Sequence, residues 1–154
     1  MNAIVIRSAK GTDAREVRRI VEAAYEGYIP AIGRRPGPMD DDYVKRIADG
    51  EVWVLEQSGS VAGVLVLIET TERFLLDNIA VDPGRKGTGL GRALLLFAEQ
   101  EAIRRGWNRI ELYTNAAMTG NISLYTRIGY QETGRARDHG FDRVFMTKTF
   151  TAIS

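Results

Sequence analysis

The sequence predicts an α/β (α+β) protein with the element order β-α-α-β-β-β-α-β-α-β-β, and three observations carry that reading. An apolar run, Leu75-Leu76-Asp77-Asn78-Ile79-Ala80-Val81, passes through a cluster of glycines straight into an amphipathic helical pattern. Between Ala14 and Tyr25 the apolar residues recur at helical spacing. Runs rich in β-branched and aromatic residues flank Ser58-Gly59 and Asp138-His139-Gly140, the signature of hairpins.

Taken in order, Ala3 to Arg7 reads as a short strand, and Thr12 as the cap of a helix with Ala14, Val17, Ile20, Val21, Ala24 and Tyr25 on one face. Pro30 is expected to end that helix, and Tyr28 to Pro38, rich in Pro and Gly, to form a loop. A short helix over about Asp40 to Asp49 stops at Gly50. Val52 to Glu56 and Val61 to Ile68 pair as a hairpin, and Thr70-Thr71-Glu72 turns the chain into the strand ending at Val81. The helix after the glycines packs through Leu90, Ala93, Leu94, Phe97 and Ala98 and ends near Gly106. Arg109 to Tyr113 is the next strand, Asn121 to Arg127 a helix, and Tyr130 to Arg135 with Val144 to Phe150 the closing hairpin.

Composition narrows the function. A chain of 154 residues is expected to fold as one domain with a single core. With 21 basic and 20 acidic residues and no cationic run, nucleic acid is not expected as a partner. The absence of cysteine excludes disulfides, zinc–thiolate sites and a thioester on the enzyme. Met1 to Arg7 is too short for a signal peptide, and no apolar run reaches membrane-spanning length, so the expected location is the cytoplasm, with no membrane partner.

The segment Asp82-Pro83-Gly84-Arg85-Lys86-Gly87-Thr88-Gly89-Leu90-Gly91 joins strand to helix as an anion cradle. Its glycines let backbone approach a ligand, and the first helical turn offers free N–H groups to a phosphate. A P-loop is excluded because Gly91 is followed by Arg92 and Ala93, not Lys-Ser/Thr. A dinucleotide fingerprint fails too, since its third glycine falls on Arg92 or Leu94. A ligand-free connector has no need of four glycines in this run.

Val81-Asp82-Pro83 followed by Lys86-Gly87-Thr88-Gly89-Leu90-Gly91 resembles the acyl-CoA loop of the GNAT acyltransferase superfamily. In that family the motif is Gln/Arg-x-x-Gly-x-Gly/Ala; here Lys86 stands at its first position. A second stretch, Leu124-Tyr125-Thr126-Arg127-Ile128-Gly129-Tyr130, resembles the family's later Leu-Tyr…Gly-Phe/Tyr signature. The resemblance extends over nearly the whole chain. It implies a central mixed, mostly antiparallel sheet flanked by helices, and transfer of acetyl from acetyl-CoA, as acyl-donor substrate, to a primary amine. The acceptor would be a small molecule or a peptide or protein amine. No metal is implied, and a homodimer would match the habit of the superfamily. The alternative within the same fold is an acyl-CoA-binding sensor without turnover.

The resemblance also assigns roles. Main-chain groups of Ile79, Ala80 and Val81 would hold the pantetheine arm, and the loop from Lys86 through Gly87, Thr88, Gly89, Leu90 and Gly91, with Arg92, the pyrophosphate. Tyr125 maps to the family's general acid, and a phenol with pKa near 10 is protonated at neutral pH. Where many members carry an Asn against the CoA arm this chain has Met118, leaving Asn121 or Asn115 as substitutes. A lysine-type amine must shed a proton at a cost of roughly 4.6 kcal/mol at pH 7, so a base is needed. The family's Glu position is Tyr113 here; Glu111, on the same strand face, and Asp77 are the candidates. His139 reads as a solvated turn residue. Substrate choice is expected from Tyr25, Tyr28, Ile32, Arg34, Arg35 and Met39, with Tyr113, the two arginines offering a fork to a substrate carboxylate.

Overall fold

A computed structural model of the chain describes residues 3–85 and 87–150. Seven strands form one sheet in the order β1-β2-β3-β4-β5-β7-β6. They are β1 (Ile4–Ser8), β2 (Val52–Gln57), β3 (Ser60–Glu69), β4 (Phe74–Val81), β5 (Arg109–Asn115), β6 (Gln131–Asp138) and β7 (Phe141–Thr149). Only the β4–β5 pair is parallel. The helices are α1 (Ala14–Tyr25), α2 (Ile29–Ile32), α3 (Tyr43–Ala48), α4 (Leu90–Arg104) and α5 (Thr119–Arg127). Among the described residues no helix is long and apolar enough to cross a membrane.

Both faces of the sheet are covered, which is why β2 and the middle of β3 are buried almost without interruption. One face packs Val52, Val54, Val64 and Val66 against Val17, Ile20 and Val21 of α1 and Ile47 of α3. The other packs Leu65, Leu67, Phe74 and Leu76 against Leu90, Leu94, Leu95 and Ala98 of α4. Gly63 is the close-approach point, where an added Cβ would meet a Leu94 methyl at 3.0 Å.

Several element ends differ from the sequence reading. Thr12 lies inside a tight turn, Gly11–Asp13, and the carboxylate that closes this turn is Asp13, accepting the Lys10 N–H at 2.7 Å and the Arg7 guanidinium at 2.8 Å. Helix α1 stops at Tyr25, before Pro30, and Pro30 instead sits in the first turn of α2, where its missing N–H costs nothing. The stretch read as a loop therefore carries an extra helix. The next helix is shorter than expected because Asp42 caps it, accepting the Lys45 N–H at 3.1 Å. The closing strands run up to a tight turn at His139 and Gly140, whose φ values of 50° and 81° suit a hairpin.

Two departures from regularity open the sheet. Val66 pairs with Asn78 and Leu67 with Leu76, so Asp77 is an extra residue bulging from β4. Before the bulge Leu76 points to the α4 side; after it Ala80 points to the α1 side, the one-residue slip that reverses faces. Beyond it β4 and β5 also part: they pair only at Leu75–Glu111 and Leu76–Leu112. Strand β5 continues with β7 as far as Asn115–Arg143, so a cleft opens between the C-terminal halves of β4 and β5.

Candidate active site

The cleft holds two cavities. The smaller, ≈ 130 Å³, lies between Ile79, Ala80 and Val81 of β4, the start of α4 at Gly91, and Asn121 and Leu124 of α5. The larger, ≈ 350 Å³, lies between Asp77 and Asn78, the Pro36–Asp41 segment, Arg46, Tyr113 to Asn115, and Phe141 and Arg143. Tyr25, Ile79, Met118 and Tyr125 line both and form the shared wall.

Main-chain groups dominate the smaller cavity. Asp82 N–H donates to Ala62 O at 2.8 Å, which fixes the phase of the β3–β4 ladder. Alternation then turns the N–H groups of Ile79 and Val81 away from β3, into the split that β5 has left. The glycine turn follows. Gly87 and Gly89 have φ of 81° and 80°, a conformation that L side chains resist, while Gly91 has only a Val81 methyl, at 3.9 Å, where its Cβ would be. Thr88 Oγ1 donates to Arg85 O at 2.7 Å and Arg85 holds Gln57 Oε1 at 3.0 Å, so these side chains shape the loop. Leu90 is buried in the core and offers this end only its N–H, and Arg92 is exposed. Lys86 lies outside the described residues. The fifteen-residue helix α4 begins here, with its unpaired N–H groups and dipole favouring an anion.

Side chains dominate the larger cavity. The Tyr25 hydroxyl donates to Asn78 Oδ1 at 2.6 Å, Asn78 Nδ2 donates to the Tyr43 hydroxyl at 2.9 Å, and Tyr43 donates to Pro38 O. This buried chain ties α1, β4 and α3 to the loop that walls the cavity. Asp77 accepts from the Tyr113 hydroxyl at 3.2 Å through one oxygen, and its other oxygen has no partner among the described residues. Burial raises its carboxyl above the usual range; Arg46 pulls it down, Asp41 pushes it up, and the Tyr113 bond lowers it. The Tyr125 ring is buried, edge-on to Tyr130 at 5.8 Å between centroids, and burial pushes its phenol well above 10. Its hydroxyl makes no hydrogen bond among the described residues.

Of the other residues singled out from the sequence, Asn121 and Tyr28 line the smaller cavity, so Tyr28 sits away from the side expected for the acceptor. Asn115 lines the larger cavity, but its Oδ1 is taken by the Ala117 N–H. Glu111 lines neither; it lies two residues back along β5, opposite Leu75. Arg34 and Arg35 also line neither. Arg34 donates to His139 O at 3.0 Å and stacks on Phe141, tying the α2 loop to the β6–β7 hairpin. Arg35 is held by Asp40 at 3.0 Å and Glu22 at 3.2 Å. The arginines in the cavity wall are Arg46 and Arg143. Ile32 lines neither cavity and Met39 is core. His139 is exposed in its turn beside Asp138.

Residues 15–130 match the acetyltransferase (GNAT) family. The chain belongs to that family. A ribosomal protein bS18-alanine N-acetyltransferase of Escherichia coli (strain K12) is 34% identical over 85 residues, 55% of this chain and 57% of that protein. An uncharacterised N-acetyltransferase of Bacillus subtilis (strain 168) is 32% identical over 102 residues, 66% of this chain and 63% of that protein. The chain thus spans about six tenths of the length of these two curated relatives. The crystal structure of the E. coli ribosomal-protein-S18-alanine N-acetyltransferase superposes with a TM-score of 0.77 at 25% identity, covering 99% of this chain and 97% of that one. A PaiA N-acetyltransferase from Thermoplasma acidophilum, solved in complex with coenzyme A, shares the fold with a TM-score of 0.79 at 16% identity, covering 96% and 99%.

Sequence reasoning missed Tyr43, Arg46, Asn78 and Arg143 in this GNAT site. One signal was available for Asn78: Asp77-Asn78 places two polar residues in succession inside an apolar strand, which breaks alternation and marks a bulge. Arg46 and Arg143 carried no such mark.

Proposed function

We propose that this chain is an N-acetyltransferase that moves an acetyl group from acetyl-CoA to a primary amine by direct attack on the thioester. The observation that carries the reading is the pair of cavities meeting at Tyr25, Ile79, Met118 and Tyr125, with free main-chain donors on one side and an underbonded carboxylate on the other. The donor fits the smaller cavity. Ile79 and Val81 N–H groups can bond its amide arm, the glycine turn and α4 N-terminus its pyrophosphate, and Asn121 is a side-chain donor beside the arm.

The acceptor fits the larger cavity. Asp77, directly or through water, takes a proton from the ammonium, and Tyr113 holds the carboxylate in place. The amine nitrogen forms its bond to the thioester carbon, and the carbonyl oxygen gains charge next to the unpaired β4 N–H groups. The carbon–sulfur bond then breaks, the Tyr125 hydroxyl gives its proton to the departing thiolate, and the nitrogen sheds its second proton to water, from which the phenolate is reprotonated. A phenol whose pKa is raised by burial stays protonated until that thiolate forms. The name of the E. coli relative supports acetyl transfer to a protein amine in that protein, and a primary amine is the acceptor class proposed for this chain.

The test is acetyl-CoA-dependent thiol release over amines, amino acids and N-terminal peptides. Turnover is expected, with Tyr125→Phe losing about 10²- to 10⁴-fold in kcat at similar acetyl-CoA affinity. Tight acetyl-CoA binding without release on any acceptor would replace this reading with the sensor.

A further inference from the structure

The larger cavity is lined by five charged side chains, and their bonding separates them into two kinds. Asp40 is held by Arg35 at 3.0 Å, and Asp41 by Arg46 at 3.0 Å. Arg46 is also held by Glu51 at 3.1 Å. Arg46 thus meets two carboxylates. Asp77 has no ion-pair partner among the described residues, and Arg143 meets one carboxylate through a single nitrogen. Asp77 uses one oxygen, on Tyr113, and Arg143 uses only Nη1, which meets Asp138 at 3.2 Å. The Arg143 Nε and Nη2 groups have no hydrogen-bond partner among the described residues.

Tyr113 sets the spacing between the two. Its hydroxyl holds Asp77 at 3.2 Å, while the Arg143 guanidinium lies over its ring, 4.4 Å from the centroid. A carboxylate with one oxygen unused and a guanidinium with Nε and Nη2 unused therefore face the same cavity, about the length of a tyrosine side chain apart. Asp77 is at the reacting end, two residues before Ile79 of the shared wall. Arg143 stands further off on β7, opposite Asn115.

The geometry points to an amino-acid-type acceptor: a primary amine with a carboxylate a few bonds away, its ammonium on Asp77 and its carboxylate on the Arg143 fork. Asp77 would then bind the ammonium before it takes the proton, and Arg143 would be a specificity residue that never touches the reacting atoms. An amine with no anion leaves the guanidinium half-buried with its remaining donors unused, and a diamine brings a second cation to it. A planar fork suits a carboxylate, for which Lys is a poorer match. This inference rests on the acetyltransferase reading above.

The experiment compares α-, β- and γ-amino acids with their carboxamides in acetyl-CoA-dependent thiol release, for the unaltered protein, Arg143→Gln and Arg143→Lys. Unaltered protein should favour the acid over the amide in at least one pair by roughly ten- to hundredfold in kcat/KM, mainly through KM. Arg143→Gln should bring that ratio near one, and Arg143→Lys should restore part of it. Comparing ratios between proteins cancels the difference in amine basicity between acid and amide. The unaltered protein alone decides the preference if a variant fails to fold. Equal or better turnover of every amide, or of a peptide amide, overturns the inference and leaves the acetyltransferase reading standing. A preference that survives Arg143→Gln in a folded protein overturns the role of Arg143. No thiol release on any amine fails both.

Discussion

The smaller and larger cavities share a wall and are made of different material. The smaller one is bounded by β4, the start of α4 and α5, and presents main-chain N–H groups and apolar side chains. The larger one gathers charged and polar side chains from the loop at Asp40, from α3, β4 and β5, and from β7 at Arg143. A main-chain cradle depends on backbone conformation, so its specification is local: a bulge, a split and glycines at positive φ. A side-chain pocket depends on where distant segments land. The first can be common to many proteins that use one donor, and the second can differ with each acceptor.

The largest effect that would sharpen this contrast is expected from Asp77→Asn. Turnover should fall about a hundredfold, with acetyl-CoA affinity little changed. The same substitution should raise thermal stability at neutral pH. Burial holds the Asp77 carboxyl above its unfolded value, so the native state keeps that proton to higher pH than the unfolded chain. Its contribution favours folding at low pH and is lost as pH rises through the raised value. Activity should run the other way, rising through that window as the base forms. A pH–rate profile for acceptor turnover beside a pH series of melting temperatures measures both. An acid limb unchanged in the variant would remove Asp77 from the chemistry.

Gly89→Val should act on the other cavity. At φ 80° nothing lies within 4 Å of the added Cβ, so the cost is backbone strain and not a clash. About 1–2 kcal/mol of strain in the glycine turn should weaken acetyl-CoA binding roughly tenfold, with acceptor KM unmoved, as calorimetry and kinetics would show. A change confined to acceptor KM would break the assignment of the two cavities.

The smallest effect is expected behind the shared wall. Tyr130 is buried, 1% exposed, and its hydroxyl has no hydrogen-bond partner among the described residues, while its ring packs on Tyr125. Tyr130→Phe removes that unsatisfied group and keeps the ring. Denaturant unfolding should show a gain of about 1 kcal/mol with turnover nearly unchanged. A loss of turnover at preserved stability would give the hydroxyl a part in holding Tyr125.

Much of the fold was readable because its signals are local. The period of α1, the Gly at the end of α3, the hairpin turn at Ser58-Gly59 and the glycine run before α4 each specify their own few residues. The ends that moved are those where tertiary contacts compete with local preference. Asp13, and not Thr12, closes the turn before α1 because Arg7 of β1 reaches it. Pro30 reads locally as a terminator, yet a chain that has already turned after Tyr25 can use it to start a helix. Arg34 and Arg35 were natural candidates for a substrate carboxylate. Their guanidiniums bind the hairpin turn and two surface carboxylates instead, and nothing in the local sequence records those partners.

By itself, the sequence determined the element order apart from the short helix α2, the strand–glycine–helix cradle, and the positions of Asp77, Tyr113 and Tyr125 on their elements. All of these follow from backbone periodicity and from which residues tolerate which φ. Tertiary structure alone decided that β4 and β5 part after a single short contact, and that Asp77 faces Arg46 and Arg143 across one cavity. It also decided that Tyr25, Asn78 and Tyr43 close into a buried chain. The physical reason is range. Hydrogen-bonded turns and helical faces are fixed within a few residues. The charge balance of a cavity is fixed by side chains that meet only after the sheet has formed.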